Sequence, residues 1–119
     1  MKTIIAGGRN INDSSLVNKV VQESGIEITE VVSGGAGGVD SLGERWAFDG
    51  EICVKRFSAN WSRYGPSAGP RRNREMAEYA DALILVWDGK SRGSANMLAE
   101  AKKRNLMIYE FIVKEKVDE

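Results

Sequence analysis

Four glycines within five positions, Gly34, Gly35, Gly37 and Gly38, separate a β-branched run from an amphipathic pattern in the segment VVSGGAGGVD. Val31 and Val32 lead into Ser33, and Val39, Leu42 and Trp46 follow at spacings of three and four. That order predicts a strand, a tight glycine turn and the start of a helix. Glycine adopts backbone angles that a Cβ forbids, and it lets the chain touch a ligand. The unpaired N–H groups of a first helical turn carry partial positive charge. A junction of this kind suits a phosphate or another anion. A turn that only has to bend would use glycines as well, so the rest of the chain must decide between the two.

The same order of strand, loop and helix recurs along the chain. Residues 3–6, TIIA, read as a short strand that ends at Gly7-Gly8-Arg9-Asn10. Asn12, Asp13 and Ser14 are candidate N-caps for a helix near 13–24, with an apolar stripe of Leu16, Val17, Val20 and Val21 and Gly25 placed to end it. A strand near 29–33 delivers the glycine loop, a helix near 39–48 runs to Gly50, and ICVKRF at 52–57 reads as a third strand. Residues 58–70, SANWSRYGPSAGP, read as a long irregular loop, and such loops in small domains are usually functional or mobile. Pro70 suits the first turn of a helix near 71–80. The apolar run ALILVW at 82–87 suits a central strand covered on both faces. DGKSRGS at 88–94 leads into a helix near 95–104, with Ser94 as a plausible N-cap, and a fifth strand spans 106–112. KEKVDE at 114–119 reads as a solvated tail. The alternation predicts one α/β domain over 1–113, a mostly parallel five-stranded sheet with helices on both faces. Ligands bind such sheets at the carboxyl ends of the strands, near the switch in strand order, and the loops after strands one to four share that rim.

Charge and composition narrow the chemistry. Lysine plus arginine and aspartate plus glutamate number 17 each, which gives no support to nucleic-acid binding through bulk charge. The chain has no histidine, which removes the usual general base, the Ser-His and Cys-His pairs and the commonest zinc ligand. The single cysteine, Cys53, excludes an internal disulfide and reads as strand packing. No metal-ligand spacing is present, and no apolar run is long enough to span a bilayer. A cytoplasmic setting without membrane contact is the expectation.

Each loop offers candidates. In the first, Gly7 and Gly8 allow close approach and Arg9 can fork onto a phosphate or carboxylate; those glycines have no evident folding purpose in the sequence. In the second, Ser33 can donate its hydroxyl, the N–H groups of Gly34, Gly35, Ala36, Gly37 and Gly38 form an anion nest, and Asp40 is either a dipole-compensating acid or a ligand for a ribose hydroxyl or an amine. Glu44, one turn on, reads as solvated. In the third, Trp61 and Tyr64 either stack on a base or pin the loop. Arg71, Arg72, Asn73 and Arg74 crowd a helix start, where cations oppose the macrodipole and a bound anion would relieve the conflict. In the fourth, Asp88 suits a sugar hydroxyl or a metal, and Gly89, Gly93 and Ser94 precede a helix that carries Asn96 and Glu100.

VVSGGAGGVDSLGERWA, ANWSRYGPSAGPRRNREMAEYADALILVWDG and RGSANMLAEAKKRNLMIYEF, in that order, resemble the SLOG superfamily, in particular its small YspA/YpsA-like branch. The DNA-processing protein A family shares an SGxAxGID-type loop, here Ser33 to Asp40, and an RNR segment before an Asp, here Arg72-Asn73-Arg74 before Asp81. The Lonely Guy phosphoribohydrolases share Arg72, Met76 and Asp81-Ala82-Leu83-Ile84, then carry a PGGxGT loop and a catalytic Glu. This sequence departs there: Asp88-Gly89 stands near PGG, Gly93-Ser94 stands for GT, and Asn96 and Met97 occupy the region of the Glu. The resemblance implies a Rossmann-like three-layer fold that binds a nucleotide or nucleotide-derived ligand, with no further cofactor. It also implies a homodimer or higher homo-oligomer and a place in nucleotide signalling, often in conflicts between phages and bacteria.

Three functions follow as alternatives. The first is binding, for sensing or sequestration, of a phosphorylated nucleotide derivative by Arg9, residues 34–38 and Arg72/Arg74, with Asp40 or Asp88 on the ribose and Trp61 or Tyr64 over the base. The second is N-glycosidic hydrolysis of nucleoside monophosphates, with Arg72 on the phosphate and Asp88 or Glu100 as the acid. The third is single-strand DNA binding, which the zero net charge disfavours. Arg45, Trp46 and Phe48 on the second helix offer a patch for self-association.

Overall fold

A computed structural model describes residues 1–114; residues 115–119, most of the expected tail, lie outside the described residues. The elements in order are β1 (Lys2–Gly7), α1 (Ser14–Ser24), β2 (Glu30–Ser33), α2 (Val39–Asp49), β3 (Cys53–Arg56), α3 (Trp61–Tyr64), a 3-10 turn (Gly65–Ser67), α4 (Ala68–Tyr79), β4 (Ala82–Trp87), α5 (Arg92–Lys103) and β5 (Met107–Ile112). The five strands form one sheet in the order β3-β2-β1-β4-β5, and every pairing is parallel. The chain steps outward from β1 to β2 and β3, then returns to the other side of β1 for β4 and β5. The switch therefore lies between β1 and β4, which pair from Thr3 with Ala82 to Gly7 with Val86.

Alternation along the inner strands divides the core in two. Ile5, Val31, Ile84 and Val86 face α1 and α2, meeting Val17, Val20, Val39 and Ala47. Ile4, Val32, Leu83 and Leu85 face α4 and α5, meeting Met76, Ala77, Met97 and Ala101. All six residues of β4 are buried, as a continuous apolar run requires of a strand covered on both sides. Of the three candidate caps, Asp13 closes the start of α1: its Oδ1 accepts from Leu16 N at 3.1 Å. Gly25 ends α1 in the left-handed conformation, at φ 65°.

The crossover from β3 to β4 differs from the expectation. Asn60 Oδ1 accepts from Arg63 N at 3.1 Å and caps α3, so residues 58–70 are largely ordered into short turns rather than an irregular loop. The next helix starts at Ala68 instead of residue 71, and Pro70 is its third residue, where a missing N–H leaves no hydrogen bond unmade. Similarly, α5 starts at Arg92, so Gly93 and Ser94 lie inside its first turn and Ser91, not Ser94, holds the cap position. Cys53 is exposed, contrary to the packing role expected of it, because β3 is an edge strand with all four residues exposed. On α2, Trp46 packs against the core, Arg45 pairs with Asp49 and only Phe48, 78% exposed, remains an apolar surface residue. Among the described residues no helix is long and apolar enough to cross a membrane.

Candidate functional site

The carboxyl ends of the strands open into a cleft with two adjoining lobes. The larger, about 790 Å³, lies over the β1–β4 switch. The smaller, about 350 Å³, lies over the glycine loop. Arg9, Ala36, Trp61 and Arg72 border both. Segments after all five strands contribute walls, down to Val113 beyond β5.

The loops interlock through backbone contacts. Gly8 N donates to Val86 O at 3.0 Å, and Val39 N donates to Gly8 O at 3.1 Å. A Cβ on Gly7 would lie 1.7 Å from Val86 O, and one on Gly38 would lie 2.1 Å from Gly8 O. These glycines thus have a folding purpose that the sequence did not disclose: they let three loops meet. Gly38 is also at φ 66°, a conformation suited to glycine.

Below the glycine loop, side chains hold it in place. Ser33 Oγ donates to Glu44 Oε2 at 2.6 Å and accepts from Gly35 N at 3.1 Å, so its hydroxyl serves the loop and is not free for a ligand. Glu44 is not the solvated acid expected; it also pairs with Arg56, whose stem lies against Gly35. Burial pushes the Glu44 carboxyl up, but the bonds from Arg56 and Ser33 reverse this and hold it below its ordinary value. Of the expected nest, Ala36 N is used by Asp40 Oδ2 at 3.1 Å, whereas Gly37 N and Gly38 N make no hydrogen bond among the described residues.

Arg72 and Asp40 meet beside Gly34. Arg72 Nη1 donates to Gly34 O at 2.6 Å and Nε donates to Asn73 Oδ1 at 2.9 Å. A Cβ on Gly34 would lie 2.8 Å from Arg72 Nη1 and 3.1 Å from Asp40 Oδ2, so glycine here admits both groups. Burial, only partly opposed by the Ala36 N–H and by Arg72, raises the Asp40 pKa from 3.8 to about 6. Burial lowers the pKa of Arg72; Asp40 opposes that change and the charge of Arg9 adds to it. Two mutually repelling guanidiniums on one concave surface are an arrangement that an anion stabilises.

The structure brings together some of the predicted residues and sets others aside. Gly7, Gly8, Arg9, Gly34, Gly35, Ala36, Gly37, Asp40, Trp61, Arg72, Asn73, Asp88, Gly93 and Ser94 line the cleft. Asn73 is buried and also ties α4 to α5, donating to Asn96 Oδ1 at 2.9 Å. Tyr64 and Arg74 do not line it: the Tyr64 ring stacks with Arg71 and Arg63, and Arg74 is exposed. Gly89 and Gly38 shape loops without bordering the cavity. Glu100, a weak catalytic candidate, lies away from the cleft and is paired with Arg104 at 2.8 Å and Lys103 at 3.7 Å. Asp88 is exposed at the rim; its Oδ1 accepts from Lys90 N and Ser91 N, which lowers its pKa.

Sequence reasoning missed the apolar floor of the larger lobe, formed by Ile11, Pro66, Met76, Met97 and Val113. The available signal was an apolar residue inside an otherwise polar loop, as at Ile11. It also missed Ser58 and Ala59 in the smaller lobe and Ser91, whose Oγ is buried without a partner among the described residues. Among the described residues no group of three His, Cys, Asp or Glu side chains gathers where a metal ion could be held.

Known proteins resemble this chain in sequence and in fold. Residues 1–64 match the YAcAr family, described as the YspA, cpYpsA-related SLOG family. The Gene 61 protein of Mycobacterium phage D29 is 33% identical over 87 residues, covering 68% of this chain and 70% of that protein. The X-ray structure of DNA processing protein A (DprA) from Streptococcus pneumoniae superposes with a TM-score of 0.72 at 19% identity. That match covers 92% of this chain, which spans about half (49%) of the DprA chain. At that identity the likeness is one of fold.

Proposed function

This chain belongs to the YspA, cpYpsA-related SLOG family, and we propose that its cleft binds a phosphorylated nucleotide derivative, as a sensing or sequestering module. The carrying observation is that Arg9 and Arg72 reach one cavity at the carboxyl ends of the strands, beside glycine-loop N–H groups and an apolar floor. The arginines and the loop suit a phosphate; Trp61 and the apolar floor suit a base. Among the described residues the carboxylates bordering the cavity are Asp40 and Asp88, and either suits a ribose hydroxyl. Charge-assisted contacts are worth about 1.5–3 kcal/mol each, so a few suffice for micromolar binding without bulk positive charge.

Titration calorimetry against mono-, di- and triphosphates, cyclic forms and ADP-ribose tests this reading. Binding of at least one ligand is expected, with Arg72→Ala weakening it by about tenfold or more. Silence from every nucleotide would overturn it. The hydrolase reading has less support, since Glu100 is held by Arg104 outside the cleft and Asp88 is an exposed turn residue. Release of free base from AMP would restore it.

A further inference from the structure

The sheet ends in two edge strands, and they are defended unequally. β3 is short and carries Lys55 and Arg56, and the N–H just before it is already spent, since Ile52 N donates to Ala47 O at 2.8 Å. β5 has six residues and one charge, Glu110. Met107 N donates to Asp81 O and Val113 N donates to Trp87 O. The odd-numbered residues therefore bond to β4, and the N–H and C=O groups of Ile108, Glu110 and Ile112 point away from the sheet. Ile112 is 53% exposed. We infer that a second copy of this chain docks antiparallel on β5, with Ile112 on the two-fold axis, and joins the two five-stranded sheets into one.

The strand's own sequence selects that occupant and that register. Side chains alternate across β5. Glu110 Oε2 accepts from Trp87 Nε1 at 2.7 Å, and Trp87 belongs to the core beneath α4 and α5. Glu110, Ile112 and Lys114 thus form one row on that side, while Tyr109, Phe111 and Val113 pack toward α1 and α2. In an antiparallel pair centred on Ile112, Glu110 faces Lys114 of the second copy and Phe111 faces Val113. Ile112 covers its own counterpart. Opposite charges meet, and the outward backbone groups from 110 to 114 all gain partners. A pair centred on Glu110 would set two like charges face to face. One centred on Phe111 would set Glu110 against Ile112 and Lys114 against Ile108, which leaves both charges opposite aliphatic groups.

Sedimentation equilibrium of the full chain up to about 1 mM tests the inference. A monomer–dimer equilibrium is expected. Lys114→Glu, at an exposed position after the strand, should raise its dissociation constant about tenfold or more, because the symmetry applies the like-charge contact with Glu110 twice. Cross-linking reads the register directly. In a Cys53→Ser background, Ile112→Cys is expected to link two copies through a disulfide under copper–phenanthroline oxidation, since facing Cα atoms of a hydrogen-bonded pair lie about 5.5 Å apart. Met107→Cys, at a similarly exposed position well off the axis, is expected to give no such link. A chain that stays monomeric throughout overturns the inference. So does a dimer indifferent to Lys114→Glu, or one in which Ile112→Cys forms no cross-link.

Discussion

The loop after β2 and the loop after β4 look alike in sequence, each with glycines, an aspartate and a helix start, but they are built on opposite terms. In the first, Asp40 is buried, accepts one backbone N–H, and has its pKa raised to about 6. In the second, Asp88 is exposed, accepts two backbone N–H groups, and has its pKa lowered. The glycines diverge as well. A Cβ on Gly38 would strike Gly8 O, whereas one on Gly93 meets nothing within 4 Å. The first loop is therefore a packed wedge that carries an acid at a cost to the fold, and the second is an exposed rim tied by Asp88. The lesson is that a carboxylate titrates according to which influence wins, burial at Asp40 and backbone hydrogen bonds at Asp88.

Substitutions at paired positions break or sharpen this contrast. The largest effect is expected at Gly38→Ala, which combines a backbone clash with an unfavourable φ; a loss of about 3 kcal/mol or more should appear in chemical denaturation. Next comes pH. Because the Asp40 pKa is raised on folding, the folded state holds its proton more tightly than the unfolded state. Stability from this group is full below pH 3.8 and falls as pH rises to about 6, by on the order of 3 kcal/mol. Asp40→Asn, whose amide oxygen can still accept from Ala36 N, should flatten that part of the pH profile and leave the variant more stable than wild type at pH 8. A smaller effect of opposite sign is expected for Gly93→Ala, which adds a helix former in open space and should raise stability by up to about 1 kcal/mol. The smallest belongs to Asp88→Ala, a slight fall in melting temperature at neutral pH. Its pKa is lowered on folding, so this contribution is present above pH 3.8 and vanishes as the pH falls through the depressed folded value. An equal loss at Gly38 and Gly93 would erase the contrast altogether.

The parts of the fold that were legible in advance are those where a local pattern has one physical solution. ALILVW suited a strand covered on both faces, and the stripe Leu16, Val17, Val20, Val21 between candidate caps and Gly25 suited a capped amphipathic helix, and both formed. Arg9, Arg72 and the glycine loop were placed on one rim because alternating strands and helices put successive loops at the same end of a parallel sheet. The order within residues 58–70 was harder to see, although Asn60 before WSRY and Gly65 after it are a cap and a stop. Cys53 misled because an apolar run reads the same at the edge of a sheet as near its middle.

The sequence by itself determined the order of the strands and the long helices, the parallel sheet and the rim on which the arginines gather, because periodicity and turn chemistry act between near neighbours. Tertiary structure alone decided that Gly7 and Gly38 are points of contact between loops, that Glu44 braces Ser33, that Glu100 belongs to Arg104, and that Asp40 is buried enough to hold a proton near pH 6. Each of these depends on which atoms from distant parts of the chain exclude water or carry charge beside a group. That environment forms only when the sheet is complete.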